Sequence, residues 1–157
     1  MISLGKKIIG VAALKKKLSA LRKAGKTIAF TNGCFDLMHV GHVTYLQKAK
    51  KGGRILVVGL NSDQSIRRIK GPSRPIVPQK SRAAVLAALE CVDFVVLFNE
   101  ETPHDLIKAL CPDVLIKGAD YRGEKVVGSD LVKRTELIAL VKGFSTSNIV
   151  AKIKKHG

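Results

Sequence analysis

The hydrophobic and polar positions of this chain follow two different periods. Residues 11–24 carry apolar side chains three or four positions apart with lysines between them, which predicts an amphipathic helix that stops at Gly25. Residues 54–60 form a nearly continuous apolar run, as expected for a strand covered on both faces of a sheet. Segments of these two kinds alternate along the chain, which predicts an α/β protein.

The remaining elements follow the same two patterns. Further strands are predicted at residues 27–31, 93–98, 114–116 and 137–141, further helices at 41–51, 64–69, 78–89, 102–110 and 129–133, and a last helix that begins between 142 and 149. Two strands with a helix between them form a right-handed unit with parallel strands. We therefore predict a Rossmann-like, three-layer α/β/α fold with a mainly parallel sheet, in a single domain of residues 1–157.

One polar stretch, residues 31–42, lies between the first predicted strand and the helix after it, with a turn predicted at Asn32-Gly33. Such crossings are where open α/β sheets bind nucleotides, and the helix start favours an anion. His39 and His42 are three residues apart and can reach one phosphate together, while Gly41 leaves room for a close approach. A chance pair of structural histidines is one alternative. A metal pair is another, although no third ligand of suitable spacing is evident.

Polar side chains also follow the second predicted strand. Asn61 and Asp63 lie at its end, where one of them either caps the next helix or contacts the nucleotide or acceptor. Lys70 and Arg74 belong to a basic loop with Gly and Pro, which predicts a flap over phosphates, the alternative being a solvated turn. Arg82 is on the first turn of the following helix, where its charge can point back to the site.

The fourth strand and the last helix add to the same edge. Lys117 can face a phosphate, while Gly118 and Asp120 can contact a base, unless this segment is a plain capped turn. Ser145 and Thr146 precede the last helix, where hydroxyls and free amides form an anion site or only cap the helix.

The net charge of +16 raises nucleic-acid binding as a function class. Much of the excess lies in residues 1–26 and 142–157, which read as solvated helix faces, and aromatic residues make up only 4%. A primary nucleic-acid role is therefore disfavoured. No run of 18 apolar residues predicts a membrane span. Three scattered cysteines and a start unlike a signal peptide predict a reduced, cytoplasmic protein.

Residues 33–42 resemble the Gly-x-Phe-Asp-x-x-His-x-Gly-His signature of the cytidylyltransferase-like nucleotidyltransferase superfamily, with each fixed position filled. Other segments look like the ADP-heptose synthase family, in order along nearly the whole chain: residues 30–36, 59–63, 70–76, 82–83, 117–121 and 143–146. That family often occurs as half of a bifunctional protein with a sugar kinase. A chain of 157 residues has no room for a kinase, so the resemblance implies the stand-alone form with a separate heptose kinase.

The resemblance implies an adenylyltransferase that uses ATP with Mg²⁺ and D-glycero-β-D-manno-heptose 1-phosphate, producing ADP-heptose for the lipopolysaccharide inner core. It implies catalytic roles for His39, His42 and Lys70. The nucleotide contacts that it implies are Thr31, Asn32, Gly33, Cys34, Phe35, Gly41, Arg74, Lys117, Gly118, Asp120, Tyr121, Phe144, Ser145 and Thr146. On the acceptor side it implies Asp36, Asn61, Asp63 and Arg82, with Asp36 fixing its loop rather than touching substrate. No side-chain metal ligand is assigned, and a homo-oligomer is expected.

Three alternatives stay open. One is a related nucleotidyltransferase that uses CTP or another acceptor such as glycerol 3-phosphate, which competition between CTP and ATP would identify. Another is a nucleic-acid-binding module, whose binding would be salt-sensitive and unaffected by ATP. The last is a non-catalytic nucleotide sensor or scaffold, against which the intact His39 and His42 pair argues.

Overall fold

The chain was analysed as a computed structural model that describes residues 4–119, 126–141 and 143–156. These residues form a five-stranded, entirely parallel sheet in the order β3-β2-β1-β4-β5. The strands are β1 (Ile28–Gly33), β2 (Ile55–Asn61), β3 (Phe94–Phe98), β4 (Val114–Gly118) and β5 (Arg134–Ile138). The helices are α1 (Val11–Lys23), α2 (Val40–Ala49), α3 (Asp63–Lys70), α4 (Gln79–Ala88), α5 (His104–Leu110) and α6 (Thr146–His156), with short 3-10 turns at Leu4–Lys6 and Ser129–Leu131.

Helices cover both faces of this sheet. Leu14 and Leu18 of α1 pack with Ile107 of α5 against one face. Leu46 of α2 and Leu86 of α4 pack against the other face. Each of these side chains is fully buried, and such burial stabilises the fold by about 1.5–3 kcal/mol per side chain. The predicted three-layer α/β/α fold is confirmed.

Strands β1 and β4 pair only near their starts. Their register partners are Ala29 with Val114 and Phe30 with Leu115, whereas β1 pairs with β2 along its whole length. We call the opening beyond these pairs, between residues 31–33 and 116–118, the strand fork. The chain winds outward from it in both directions, so the strand fork is the switch point where open α/β sheets bind ligands.

The side chain of Tyr45, on α2, bridges the two strands of the strand fork. Its hydroxyl lies 2.8 Å from Thr31 Oγ1 on β1 and donates to the carbonyl of Ile116 on β4 at 3.1 Å. Tyr45 is only 8% exposed, so these bonds form away from bulk water. The side chain therefore holds the two strands at a fixed separation where their ladder has ended.

The structure corrects the predicted turn at Asn32-Gly33 and the limits of the last strand. Asn32 and Gly33 belong to β1 because they pair with Gly59 and Leu60 of β2. The last strand occupies Arg134–Ile138 rather than residues 137–141. It begins with polar residues, which a search for apolar runs does not detect. These residues pair with β4, a contact between distant parts of the chain.

The start of α3 also differs from the prediction. Neither Asn61 nor Asp63 caps this helix, because the Ser62 hydroxyl accepts from the Ser65 amide at 3.1 Å.

Within the three described ranges, no helix combines the length and apolar character that crossing a bilayer requires.

Candidate functional site

A cavity of about 570 Å³ opens at the carboxyl ends of the strands, around the strand fork. The predicted site residues that line it are Asn32, Gly33, Cys34, Phe35, His39, Gly41, His42, Asn61, Lys70, Lys117, Gly118, Phe144, Ser145 and Thr146. They come from the ends of β1, β2 and β4, from the end of α3 and from the segments that begin α2 and α6. Strand ends that are distant in sequence thus converge on one cavity, as parallel topology requires.

The two signature histidines lie side by side at the start of α2. His39 occupies the N-cap position in an extended conformation, and its ring stacks on that of His42 with centroids 3.9 Å apart. The Phe35 ring lies 5.2 Å from the His42 ring. Both Nδ1 atoms are buried, yet neither has a hydrogen-bond partner among the described residues. Buried, unpartnered polar atoms of this kind are expected where a bound ligand completes the site.

Both imidazoles are neutral at pH 7 in this structure. Removal from water lowers the pKa of His42 to about 4, with further lowering by the neighbouring His39 and by Lys70. Desolvation also lowers the pKa of His39. Each neutral ring carries one N–H, so the pair offers hydrogen-bond donors to an anion without two charges in contact.

The pKa of His42 predicts how stability depends on pH. In the unfolded chain the imidazole takes up a proton near pH 6.5, but in the folded protein it does so only near pH 4. The unfolded state therefore binds more protons in this window, so the free energy of unfolding falls as the pH drops from about 6.5 towards 4. We expect the melting temperature to drop less between pH 7.5 and about pH 5 in His42→Gln than in the wild type.

The matched control for this pH dependence is His104→Gln, because His104 lies on α5 and does not line the cavity. It should keep the wild-type difference in melting temperature. An equal drop in the His42→Gln variant would contradict the assignment of this pH dependence to His42.

Gly41 is required between the histidines for steric reasons. A Cβ at this position would lie 2.9 Å from Nδ1 and 3.0 Å from Cε1 of His39, which is too close for the His39 ring to stay in place. We expect Gly41→Ala to lower the rate of the nucleotidyl transfer that the resemblance implies by about 10²-fold, because small displacements of positioned groups have effects of this size. The melting temperature should hold, since alanine favours the helix.

Gly10→Ala is the matched control for Gly41→Ala, because a Cβ at position 10 meets no atom within 4 Å. Full activity of Gly41→Ala would show that the His39 ring need not stay where the structure places it.

The start of α6 forms the wall of the cavity beside the signature loop. The Ser145 hydroxyl accepts from the Asn148 amide at 3.0 Å, so Ser145 caps the helix. Thr146 Oγ1 donates to the carbonyl of Leu37 at 3.2 Å and ties α6 to the signature loop. Ser145 and Thr146 both line the cavity, which places the anion-binding end of a helix against the His39 side.

Lys117 reaches across the strand fork. It is 6% exposed, and its ammonium group donates to Oδ1 of Asn32 at the end of β1. Asn32 and Lys117 therefore form a polar rim above the Tyr45 hydroxyl. The predicted contacts at Asp120 and Tyr121 lie outside the described residues.

Asp36 is turned away from the cavity. It is 4% exposed, and its carboxylate accepts from the amides of Ile76 and Val77 at 2.9 and 2.8 Å and from Arg74 Nε at 2.7 Å. Burial acts to raise the pKa of Asp36, but the amides and the guanidinium outweigh it and hold the pKa below its usual range. Asp36 thus holds the loop after α3 instead of lining the cavity, and Arg74 is bound to Asp36 rather than lining the cavity.

Arg82 does not point into the cavity either, contrary to the prediction. It is 1% exposed, and its guanidinium donates to the carbonyls of Val77 and Asn61, both at 2.9 Å, and of Cys34. It also pairs with Asp63 at 2.8 Å. Arg82 joins the signature loop to β2 and to the loop before α4, so its part is structural. Asp63 lines a separate surface depression.

Thr31 and Cys34 complete the predicted set. Thr31 is fully buried beneath the cavity, where its hydroxyl meets Tyr45. Cys34 lines the cavity, but burial raises the pKa of its thiol despite nearby cations, so it stays protonated. It is a neutral wall group rather than a nucleophile.

Several lining residues were not predicted from the sequence. They are Tyr45, Ile69, Glu101, Thr102, Pro103, Val127, Leu140, Val141 and Ser147. Glu101 is the one carboxylate among the described lining residues. No group of three or more metal-ligating side chains occurs within the part of the chain that the structure describes. These apolar residues and Glu101 do not belong to a sequence motif, so no sequence pattern predicted them.

One cavity thus combines the switch point of a parallel sheet, a neutral histidine pair and the start of a helix. These groups are suited to binding a polyphosphate, and none of them is a nucleophile that would cleave it. The fold and the site together define the class of the protein, an α/β protein whose switch-point cavity suits a nucleotide.

Comparison with known proteins fixes the particular family. Residues 30–150 match the cytidylyltransferase-like family, and the chain belongs to it. This confirms the superfamily predicted from the signature. The roles of individual residues remain predictions.

Similar proteins include the bifunctional protein HldE of Syntrophotalea carbinolica, which is 59% identical over 145 residues, covering 90% of this chain and 30% of that protein. The bifunctional protein HldE of Helicobacter pylori is 57% identical over 145 residues, covering 92% of this chain and 31% of that protein. The chain thus spans about 30% of the length of these relatives.

Among solved structures, the lipopolysaccharide core biosynthesis protein from Thermoplasma volcanium is 29% identical with a TM-score of 0.61, over 74% of this chain and 98% of that chain. The alignment covers nearly all of that smaller protein, so the two chains share one fold.

Proposed function

We propose that the chain transfers AMP from ATP to D-glycero-β-D-manno-heptose 1-phosphate, giving ADP-heptose and pyrophosphate. The observation that carries the reaction type is the stacked His39–His42 pair, placed between the strand fork and the start of α6. The similarity to HldE and to a lipopolysaccharide core biosynthesis protein supports a role in the biosynthesis of the lipopolysaccharide core.

The strand fork and its apolar neighbours form the nucleotide half of the cavity. Val127, Leu140 and Phe144 line this side, and they are 37%, 50% and 51% exposed without a ligand. Large apolar side chains lining a cavity at this exposure favour a flat ligand such as a nucleobase. The base would lie near Gly118, with the triphosphate leading towards His39 and α6.

The reaction follows from this placement. An oxygen of the sugar phosphate attacks the α-phosphorus of ATP in line, the bond from the α-phosphorus to the bridging oxygen breaks, and pyrophosphate leaves with that electron pair. The attacking phosphate is already ionised at pH 7, so no general base is needed. Catalysis rests on position and on donors to the charge that builds on the phosphoryl oxygens.

Three parts of the chain supply those donors. His39 and His42 donate imidazole N–H groups to phosphate oxygens near the reacting bond. Ser145, Thr146 and the free amides of the first turn of α6 bind the phosphates that leave. Lys70 lines the cavity at the end of α3 and adds a positive charge above them.

Mg²⁺ fits this site as a companion of the nucleotide. The described lining residues include a single carboxylate, so phosphate oxygens and water would supply most of its ligands, as magnesium accepts readily. When bound, the ion would reduce the charge of the triphosphate.

The chemistry of the acceptor places this step after another. A sugar with phosphate on its anomeric carbon must be supplied by an earlier step that phosphorylates the sugar, for which we propose a heptose kinase in the cytoplasm. A homo-oligomer remains a prediction, and its mass in solution would test it.

Pyrophosphate release from purified protein tests the proposal. The protein would receive Mg²⁺, ATP or CTP, and a panel of sugar 1-phosphates and polyol phosphates. We expect release with ATP and heptose 1-phosphate only. Release with CTP alone would assign the protein to a cytidylyltransferase activity. No release with any pair would contradict an enzyme of this type, and salt-dependent nucleic-acid binding would then be measured.

A further inference from the structure

The cavity has a second half that the nucleotide does not explain. Strand order places the ends of β2 and β3 on the side of β1 away from the strand fork. Asn61, at the end of β2, and residues 101–103, which follow β3, line this side. If the nucleotide occupies the strand fork, the acceptor reaches the histidines from here.

This second half is polar and carries a negative charge. Glu101 is exposed to the cavity and makes no hydrogen bond or ion pair with any described residue. Asn61 donates from Nδ2 to the Ser65 hydroxyl at 3.0 Å, which fixes the amide and leaves Oδ1 without a partner in the described residues. A carboxylate and an amide oxygen are hydrogen-bond acceptors, and a second phosphate is repelled by such groups.

The segment that carries Glu101 is held firmly against α3. Ser65 Oγ donates to the carbonyl of Glu100 at 2.7 Å, and Ser62 Oγ donates to Asn99 Oδ1 at 2.6 Å. Arg68 donates to the carbonyl of Asn99 as well. Ser65 therefore binds both the Asn61 amide and the carbonyl of the residue before Glu101, so the backbone at Glu101 keeps a fixed position relative to Asn61. A fixed backbone reduces the cost of ordering the Glu101 side chain around a ligand.

We propose that Glu101 and Asn61 form the subsite for the hydroxyl groups of the acceptor. The Glu101 carboxylate accepts hydrogen bonds from two neighbouring hydroxyls of a sugar ring, and Asn61 Oδ1 accepts from a third. Lys70 and the histidines attract the phosphate of the acceptor, while Glu101 and Asn61 bind its hydroxyl groups. This inference rests on the proposed function and names the feature of the acceptor that is recognised.

The test is Glu101→Gln, with Glu100→Gln as the matched control, because residue 100 carries the same charge and its side chain does not line the cavity. Pyrophosphate release would be measured against heptose 1-phosphate at saturating ATP, and against ATP at saturating acceptor. We expect the KM for the acceptor to rise about tenfold or more in Glu101→Gln, as for loss of a hydrogen bond to a charged group. The KM for ATP and the Mg²⁺ dependence should stay within about twofold of the wild type.

Deoxy analogues of heptose 1-phosphate, each lacking one ring hydroxyl, provide the second measurement. For the analogue whose missing hydroxyl contacts Glu101, wild type and Glu101→Gln should show nearly equal KM values. A variant with wild-type KM for every acceptor would overturn this inference while leaving the proposed function intact. A changed KM for ATP or a raised Mg²⁺ requirement would overturn it by assigning Glu101 to the nucleotide or the metal. If the wild type accepts no sugar phosphate at all, the proposed function and this inference fail together.

Discussion

His42→Ala is expected to lower kcat by about 10²–10³-fold, the usual effect of removing one donor to a developing phosphoryl charge. The His42 ring stacks on His39 at 3.9 Å and lies beside Phe35, so its N–H acts in a site with little water. Its pKa of about 4 keeps it neutral before substrate binds. Because the donor acts mainly in the transition state, kcat and kcat/KM should fall by similar factors.

Steady-state pyrophosphate release measures this effect, with thermal unfolding as a check that the variant is folded. His104→Ala is the matched control, since that imidazole does not line the cavity. A kcat of His42→Ala within about threefold of the wild type would contradict the catalytic role assigned to His42. His42→Asn restores an N–H donor at a different reach, so its kcat should fall between the alanine variant and the wild type.

Arg82→Leu is expected to reduce the free energy of unfolding by about 3–5 kcal/mol. The side chain is fully buried, and it bonds to the carbonyls of Val77, Asn61 and Cys34 and to the Asp63 carboxylate. Leucine leaves these oxygens without their donor while they remain covered. The loss exceeds the value of any single bond because the unsatisfied groups carry the cost of their lost hydration.

Urea unfolding at pH 7 measures the loss for Arg82→Leu. Arg67→Leu on α3 is the control, because Arg67 is exposed and its replacement should change stability by no more than about 0.5 kcal/mol. Arg82→Lys should recover only part of the loss, since an ammonium group cannot reach carbonyls in several directions at once. A loss below about 1 kcal/mol for the leucine variant would show that water replaces the guanidinium.

The sequence was most informative where function and local structure coincide. The signature of residues 33–42 predicted the histidine pair, its position at a helix start and the family, because these depend on neighbours within a few residues. The alternation of apolar runs likewise predicted the sheet, whose central strands are buried on both faces. Local pattern and global fold agree at these positions.

The differences arise where partners are distant in the chain. Arg82 bonds to residues 5, 19, 21 and 48 positions away in the chain. The sequence next to Arg82 therefore does not show whether its side chain is buried among these partners or binds a phosphate. The predicted strand at 137–141 left out Glu136, yet Glu136 lies in β5 and is paired with Arg54 at 3.1 Å and with Arg134. Glu101 precedes a helix like many surface acids, and only the strand order brings it to the cavity.

The early end of the β1–β4 ladder bears on how this protein would respond to an inhibitor. Past Phe30 and Leu115 the two strands no longer pair with each other, so a planar compound inserted there would be recognised largely by peptide groups. A peptide group does not change when the side chain of its residue is substituted. Few amino-acid substitutions would therefore prevent such a compound from binding. The buried Tyr45 hydroxyl and the Asn32–Lys117 bond are the exceptions, and loss of Tyr45 would also alter the separation of the two strands. Resistance to a compound seated in the strand fork should therefore arise seldom.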